Sequence, residues 1–126
     1  MRLNHVTLSV SDLDRSVAFY RTLGLTQIVA DEDYARFECP QGESTLSLES
    51  RSDPADLGTG SISIHFESDR LDDLVAELKQ RGIAFEQEPT DQPYLWREAV
   101  LLDPDGHRLF LFHAGENRLA PPWRLR

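Results

Sequence analysis

Few side chains in this chain of 126 residues have the chemistry to react or to hold a metal. Two of them, His5 and His65, sit in stretches where polar and apolar residues alternate. Leu3, His5, Thr7 and Ser9 share one face of the first stretch, and Ser61, Ser63, His65 and Glu67 share one face of the second. Period-two alternation marks a half-buried strand, so both imidazoles are expected on the polar side of a sheet. A histidine so placed can pass a proton near neutral pH. It can also ligate a divalent ion if further His, Asp, Glu or Cys ligands converge on it. The one cysteine, Cys39, stands between Glu38 and Pro40 with no neighbour that would favour a thiolate, and reads as a small strand-end side chain. Asp103-Pro104-Asp105-Gly106 has the oxygen-rich look of a calcium loop but lacks the later bidentate Glu, so it reads as a turn. Phosphate-binding glycine loops and the CxxC, HExxH and GxSxG motifs are absent.

The elements that must position these residues occur twice. Setting each residue against the one 58 places later pairs Leu13 with Leu71, Asp14 with Asp72, Val17 with Val75, Ala18 with Ala76 and Gly24 with Gly82. Each matched stretch is an amphipathic helix: Leu13, Val17 and Tyr20 share a face in the first, and Leu71, Leu74, Val75 and Leu78 recur at helical spacing in the second. Ser11 or Asp12 is expected to cap the first helix and Asp69 the second, with Gly24 and Gly82 ending them in a left-handed conformation. Strands are expected at Gln27–Ala30, Tyr34–Cys39 and Thr45–Ser50, and again at Phe85–Glu88, Trp96–Leu102 and Arg108–His113. The order β-α-β-β-β, twice over, predicts an α+β fold: paired βαβββ modules forming a curved, cup-shaped sheet with the helices on one side. The whole chain, 1–126, is expected to be one domain. Its first module is about 1–52, its linker 53–60, its second module about 61–114, and its irregular tail 115–126, packed by Trp123.

Hydrophobic residues make up 40% and charged residues 28%, which suits a globular core. A formal net charge of -9 repels phosphate backbones, so neither nucleic acid nor an anionic membrane is an expected partner. No apolar run approaches the ~18 residues of a spanning helix, and the first residues lack a leader's apolar stretch. With a single cysteine, a cytoplasmic setting is expected.

Leu3-Asn4-His5-Val6-Thr7-Leu8, then Ser11 through Tyr20 and Leu23-Gly24-Leu25, resembles the opening of the vicinal-oxygen-chelate superfamily, which includes glyoxalases, bleomycin-resistance proteins and dioxygenases. Leu71-Asp72 through Arg81-Gly82-Ile83 and Asp103-Pro104-Asp105-Gly106-His107 resemble its closing half. Metal-dependent members of that superfamily place ligands on the first and last strands of each half. By this resemblance His5 matches the first ligand, but Ser63 stands where a second His is usual. Ser47 stands where some members carry Glu, and Phe110 where the closing carboxylate belongs. A hydroxyl is a poor ligand and a phenyl ring is none, so no metal cofactor is favoured. A displaced set, His5, Glu49 and His65, would have the chemistry for Zn, Fe, Mn or Ni, because two residues along a strand return to the same face.

The expected activity is therefore the binding of a small apolar or aromatic molecule in the cup. His5 is the one group with acid–base capacity in a catalytic role; Thr7, Ser47, Glu49, Ser63, His65, Trp96, Phe110 and Phe112 are the expected ligand contacts. A metal-dependent lyase, isomerase or dioxygenase is the alternative. Tyr94 and Arg97 lie in a loop expected near the cup mouth, with Arg97 and Glu98 otherwise solvated. The resemblance also implies a homodimer.

Overall fold

The first strand, β1 (His5–Val10), leads into α1 (Leu13–Leu23), and three strands follow: β2 (Thr26–Ala30), β3 (Tyr34–Glu38) and β4 (Thr45–Ser50). After a 3₁₀ turn at Pro54–Asp56 the pattern repeats as β5 (Ser63–Glu67), α2 (Leu71–Gln80), β6 (Gln87–Asp91), β7 (Arg97–Leu102) and β8 (Arg108–His113). The computed structural model describes residues 1–125. The two sheets have the same topology, β1-β4-β3-β2 and β5-β8-β7-β6. In each, the first strand runs parallel to the last and the other pairs are antiparallel. This is the α+β architecture of paired βαβββ modules. The chain divides into one unit of Met1–Ser61 with Asp103–Gly106, and a second of Ile62–Leu102 with the residues from His107 onward.

Alternation decides which face each strand buries. In the first unit Leu8, Val10, Ala35, Phe37, Leu46 and Leu48 are buried, together with Tyr20 and Leu23 of α1. In the second, Leu71, Val75 and Leu78 of α2 are buried with Ala99, Leu101, Leu109 and Leu111. Each large side chain so buried stabilises the fold by about 1.5–3 kcal/mol relative to exposure. The opposite face of each sheet is thereby left to His5, Thr7 and Ser47 in one unit and to His65, Phe110 and Glu98 in the other.

The helix ends follow their sequence signals, with one exception. Asp12 accepts the Arg15 backbone N–H at 3.1 Å, and Gly24 ends α1 at φ +115. Asp69 does not cap α2. Arg70 is the residue before the helix, its N–H is taken by Ser68 Oγ at 3.1 Å, and Asp72 and Asp73 place negative charge on the first turn instead.

Three further expectations are displaced. Strand β6 starts at Gln87 rather than Phe85 and runs through Pro89. Pro89 donates no hydrogen bond, and it lies within the register shift between Gln87 and Thr90 on an edge strand, where proline is tolerated. Trp96 lies outside β7, because Leu95 adopts φ 68 and the turn closes through Leu95 N–H to Gln92 O and Gln92 N–H to Trp96 O. In the tail, Gly115–Arg118 forms a 3₁₀ turn, and Trp123 is 57% exposed. Arg126 lies outside the described residues.

Candidate functional site

On the polar face of the first unit, His5 stands opposite Thr45 and Thr7 opposite Ser47, while Ser47 in turn faces Arg36 of β3. The imidazole is held on both sides: Nδ1 lies 2.5 Å from Thr45 Oγ1, and Nε2 lies 3.2 Å from Ser47 Oγ and 3.3 Å from Thr7 Oγ1. Ser47 is fully buried and its hydroxyl also meets Tyr34 Oη at 2.5 Å. Arg36 Nε donates to the same phenol oxygen at 2.9 Å. The bonds from Ser47 and Arg36, and the guanidinium charge, hold the Tyr34 phenol below its ordinary value against the opposing pull of burial and Glu49. Three residues expected together, His5, Thr7 and Ser47, thus meet around one imidazole. Tyr34, Arg36 and Thr45 complete the cluster without having been expected there.

Glu49 does not join it. It stands opposite Ser9, four residues along β4 from Thr45, which is roughly 13 Å at the usual strand rise. Its carboxylate instead pairs with Arg51 at 2.8 Å.

The second unit presents aromatic rings on the corresponding face. His65 pairs with Phe110, and their rings stack at 4.5 Å with an interplanar angle of 4°. Phe112 and Trp96 stand edge-on to the same imidazole at 5.6 and 6.1 Å, and Trp96 stacks on Phe112 at 4.6 Å. Tyr94 closes the row against Trp96 at 6.0 Å. Burial among these rings lowers the His65 pKa, outweighing Glu98 and a backbone hydrogen bond at Ser63, which act the other way. Beside the row, an open depression of about 340 Å³ is lined by Glu86, Gln87, Val100, Arg108 and Phe110. Ser63 is exposed opposite Arg108, two residues before His65 on the same face.

Two side chains differ from expectation here. Glu98 is buried, at 5% exposure, and accepts a hydrogen bond from the Tyr94 hydroxyl, which is pushed up to about 12 mainly by that bond. Arg97, expected solvated, instead pairs with Asp72 at 3.0 Å and Asp91 at 3.1 Å.

The donor set fits a metal poorly. Both nitrogens of His5 are engaged by hydroxyls, Ser63 offers one more hydroxyl, and Phe110 offers a ring that stacks on His65. Among the described residues no three His, Cys, Asp or Glu side chains come together to hold an ion, and within the first unit Glu49 does not join His5. The physical reason within the first unit is the register that carries Glu49 two pleats away from His5.

The family model of the Glyoxalase/Bleomycin resistance protein/Dioxygenase superfamily matches residues 2–111. The chain belongs to that superfamily. Among its relatives in the superfamily, the metallothiol transferase FosB of Lysinibacillus sphaericus (strain C3-41) is 30% identical over 119 residues, which is 90% of this chain and 82% of that protein. A glyoxalase/bleomycin resistance protein/dioxygenase from Nocardioides superposes with a TM-score of 0.74 at 26% identity, covering 100% of this chain and 90% of the other. A bleomycin-binding protein in complex with bleomycin has the same fold, with a TM-score of 0.68 at 24% identity over 90% of this chain and 98% of its own. No helix of the described residues is long and apolar enough to cross a membrane.

Proposed function

We propose that this superfamily member binds a small, apolar or aromatic molecule against the ring cluster of its second unit, without a resident metal. The observation that carries this reading is the stack of His65 on Phe110, at the strand position where the resemblance leads one to look for a metal-binding carboxylate. A row of Tyr94, Trp96, His65 and Phe110, backed by the buried Phe112, lies beside an open depression and offers a planar ligand ring surface, each aromatic contact worth about 0.5–1.5 kcal/mol beyond burial alone. The buried carboxylate of Glu98 and the Tyr94 hydroxyl give such a ligand a polar anchor. The reading includes a pair of identical chains in the cytoplasm, and gel filtration that returns only the 14.4 kDa monomer removes the pair.

Tryptophan fluorescence tests the binding. In a Trp123→Phe background Trp96 is the sole reporter, since the chain has two tryptophans. Saturable quenching by 2-methylnaphthalene, weakened about tenfold in Phe110→Ala, supports the reading. Quenching that ignores Phe110→Ala overturns it.

A second reading rests on the identity to the metallothiol transferase: a metal-dependent transfer reaction in which His5 is a ligand. Stoichiometric retention of Zn, Mn or Ni through dialysis, lost in His5→Ala, would replace the first reading with this one.

A further inference from the structure

A carboxylate lies buried beside the aromatic row of the second unit with no cation to balance it. Glu98 is 5% exposed, stands opposite Phe112, and accepts its side-chain hydrogen bond from the Tyr94 hydroxyl, a neutral donor. Neighbouring carboxylates are treated differently. Glu67, across Phe112 on β5, takes the backbone N–H groups of Ala114 and Gly115 at 2.7 and 3.0 Å and lies 3.6 Å from Arg118 Nε. Glu88 pairs with Lys79. Arg97, next to Glu98 in sequence, is taken by Asp72 and Asp91. Among the described residues no Lys or Arg pairs with Glu98. A charge withdrawn from water without a counter-charge costs stability, and that cost is returned when a cation comes within reach.

The rings beside Glu98 favour the same kind of ligand. The faces of Trp and Tyr rings carry the negative lobe of the ring quadrupole and attract a cation. Tyr94 is 43% exposed and Trp96 is half-buried, so both present surface. Glu98 needs no direct contact with the ligand, because its field is weakly screened among rings. The surface is also polar end to end. Arg108 stands opposite Leu102, four residues along β8 from Phe112, which is roughly 13 Å at the usual strand rise. The open depression of about 340 Å³ at Phe110 has Glu86 and Arg108 in its lining, two charges of opposite sign. The unbalanced negative charge is therefore at the end where Tyr94 and Trp96 stand.

We propose that the ligand of this surface is an organic cation, a flat aromatic molecule carrying a positive nitrogen, with that nitrogen over Trp96 and Tyr94 countered by Glu98 and its uncharged remainder toward Phe110. The proposal rests on the aromatic reading above and adds the charge of the ligand to it.

Two probes of one shape separate the two claims: neutral 2-methylnaphthalene and 2-methylisoquinolinium, whose charge is permanent. Saturable quenching of Trp96 is read in the Trp123→Phe background at pH 8, above the ordinary imidazole value of about 6.5, so that His65 adds no positive charge. The cation is expected to bind about 10- to 100-fold more tightly than its neutral twin. In Glu98→Gln, which still accepts from Tyr94, that ratio should fall below about threefold. Glu77→Gln, which removes one exposed charge from α2, should leave the ratio unchanged. Salt at 0.5 M should lower the ratio only in part, because Glu98 is buried, whereas attraction to the net charge of -9 would vanish. The salt comparison uses no Glu98 variant and decides the matter if Glu98→Gln does not fold. Equal binding of the two probes, a preference that survives Glu98→Gln, or one abolished by salt overturns the proposal while leaving the aromatic reading standing. Failure of both probes to saturate overturns both.

Discussion

Replacing Tyr20 by Phe removes one atom from the core of the first unit, and its cost can be worked from that atom's surroundings. Tyr20 is fully buried, and its hydroxyl donates to Asp103 Oδ2 at 2.7 Å, with Asp103 itself 4% exposed. The phenyl ring of the variant fills the same space, so no cavity term arises and the loss is that of one hydrogen bond to a charged acceptor, about 1.5–3 kcal/mol. Asp103 keeps its Oδ1 bond from the Asp105 backbone N–H at 3.0 Å, which places the expected value inside that range and not above it. For 126 residues the entropy of unfolding is about 0.26 kcal/mol/K, so the melting temperature should fall by about 6–11 °C. The effect also has a pH signature. Burial, and then the charge of Asp103 and the bond to it, raise the Tyr20 pKa above the 10.0 of a free phenol, so the folded chain holds that proton more tightly than the unfolded chain. The contribution is complete below about pH 10 and is lost as pH rises beyond it. Thermal melts of wild type and Tyr20→Phe should therefore differ most at neutral pH and converge in alkali, with Tyr94 leaving a residual slope in both. A gap under about 0.5 kcal/mol at neutral pH, or one that stays constant into alkali, would refute the account.

Two further outcomes follow from the same geometry. His65 should titrate by proton NMR below the ordinary 6.5 and move upward in Phe110→Ala, because removing the stacked ring readmits water; its contribution to stability is complete above pH 6.5 and is lost as pH falls through the lowered value. Gly106 holds φ +88 and an added Cβ would meet Thr59 Cγ2 at 3.1 Å, so Gly106→Ala should cost about 1–2 kcal/mol in a urea melt, with no loss expected if the turn relaxes freely.

The architecture was legible in the sequence because both of its signals are local. Helical spacing at Leu71, Val75 and Leu78 and alternation at His5, Thr7 and Ser9 need no partner to be read, and both survive in the fold. Of the cluster around His5, Thr7 was legible from alternation on its own strand and Ser47 from the family resemblance, whereas the neighbours supplied by β3 were not. The link from Ser47 to Tyr34 depends on the pairing of β3 with β4, in which Tyr34 stands opposite Glu49 and reaches diagonally to Ser47. Nothing in either segment alone announces that diagonal. Glu98 looked solvated beside Arg97, yet adjacent residues on a strand point to opposite faces, and its own face is the one covered by Tyr94 and the rings. Trp96 joins the rings after a turn in which Leu95 takes a left-handed conformation, which a leucine rarely adopts.

The turn Asp103–Gly106 belongs to the first unit although the strands on either side of it belong to the second. Asp103 receives the Tyr20 hydroxyl, and Asp105 takes the Ser11 backbone N–H at 3.0 Å just before α1. A ribosome making this chain therefore finishes the sheet and helix of the first unit well before it delivers the two carboxylates those groups need. At about 5–20 residues per second the wait is on the order of seconds. During that interval the nascent chain carries a phenol and an amide whose partners have not yet been made, and the first half matures only as the second emerges. The borrowed turn makes the order of synthesis matter, because a chain cut at the linker would leave the first half without the carboxylates of Asp103 and Asp105.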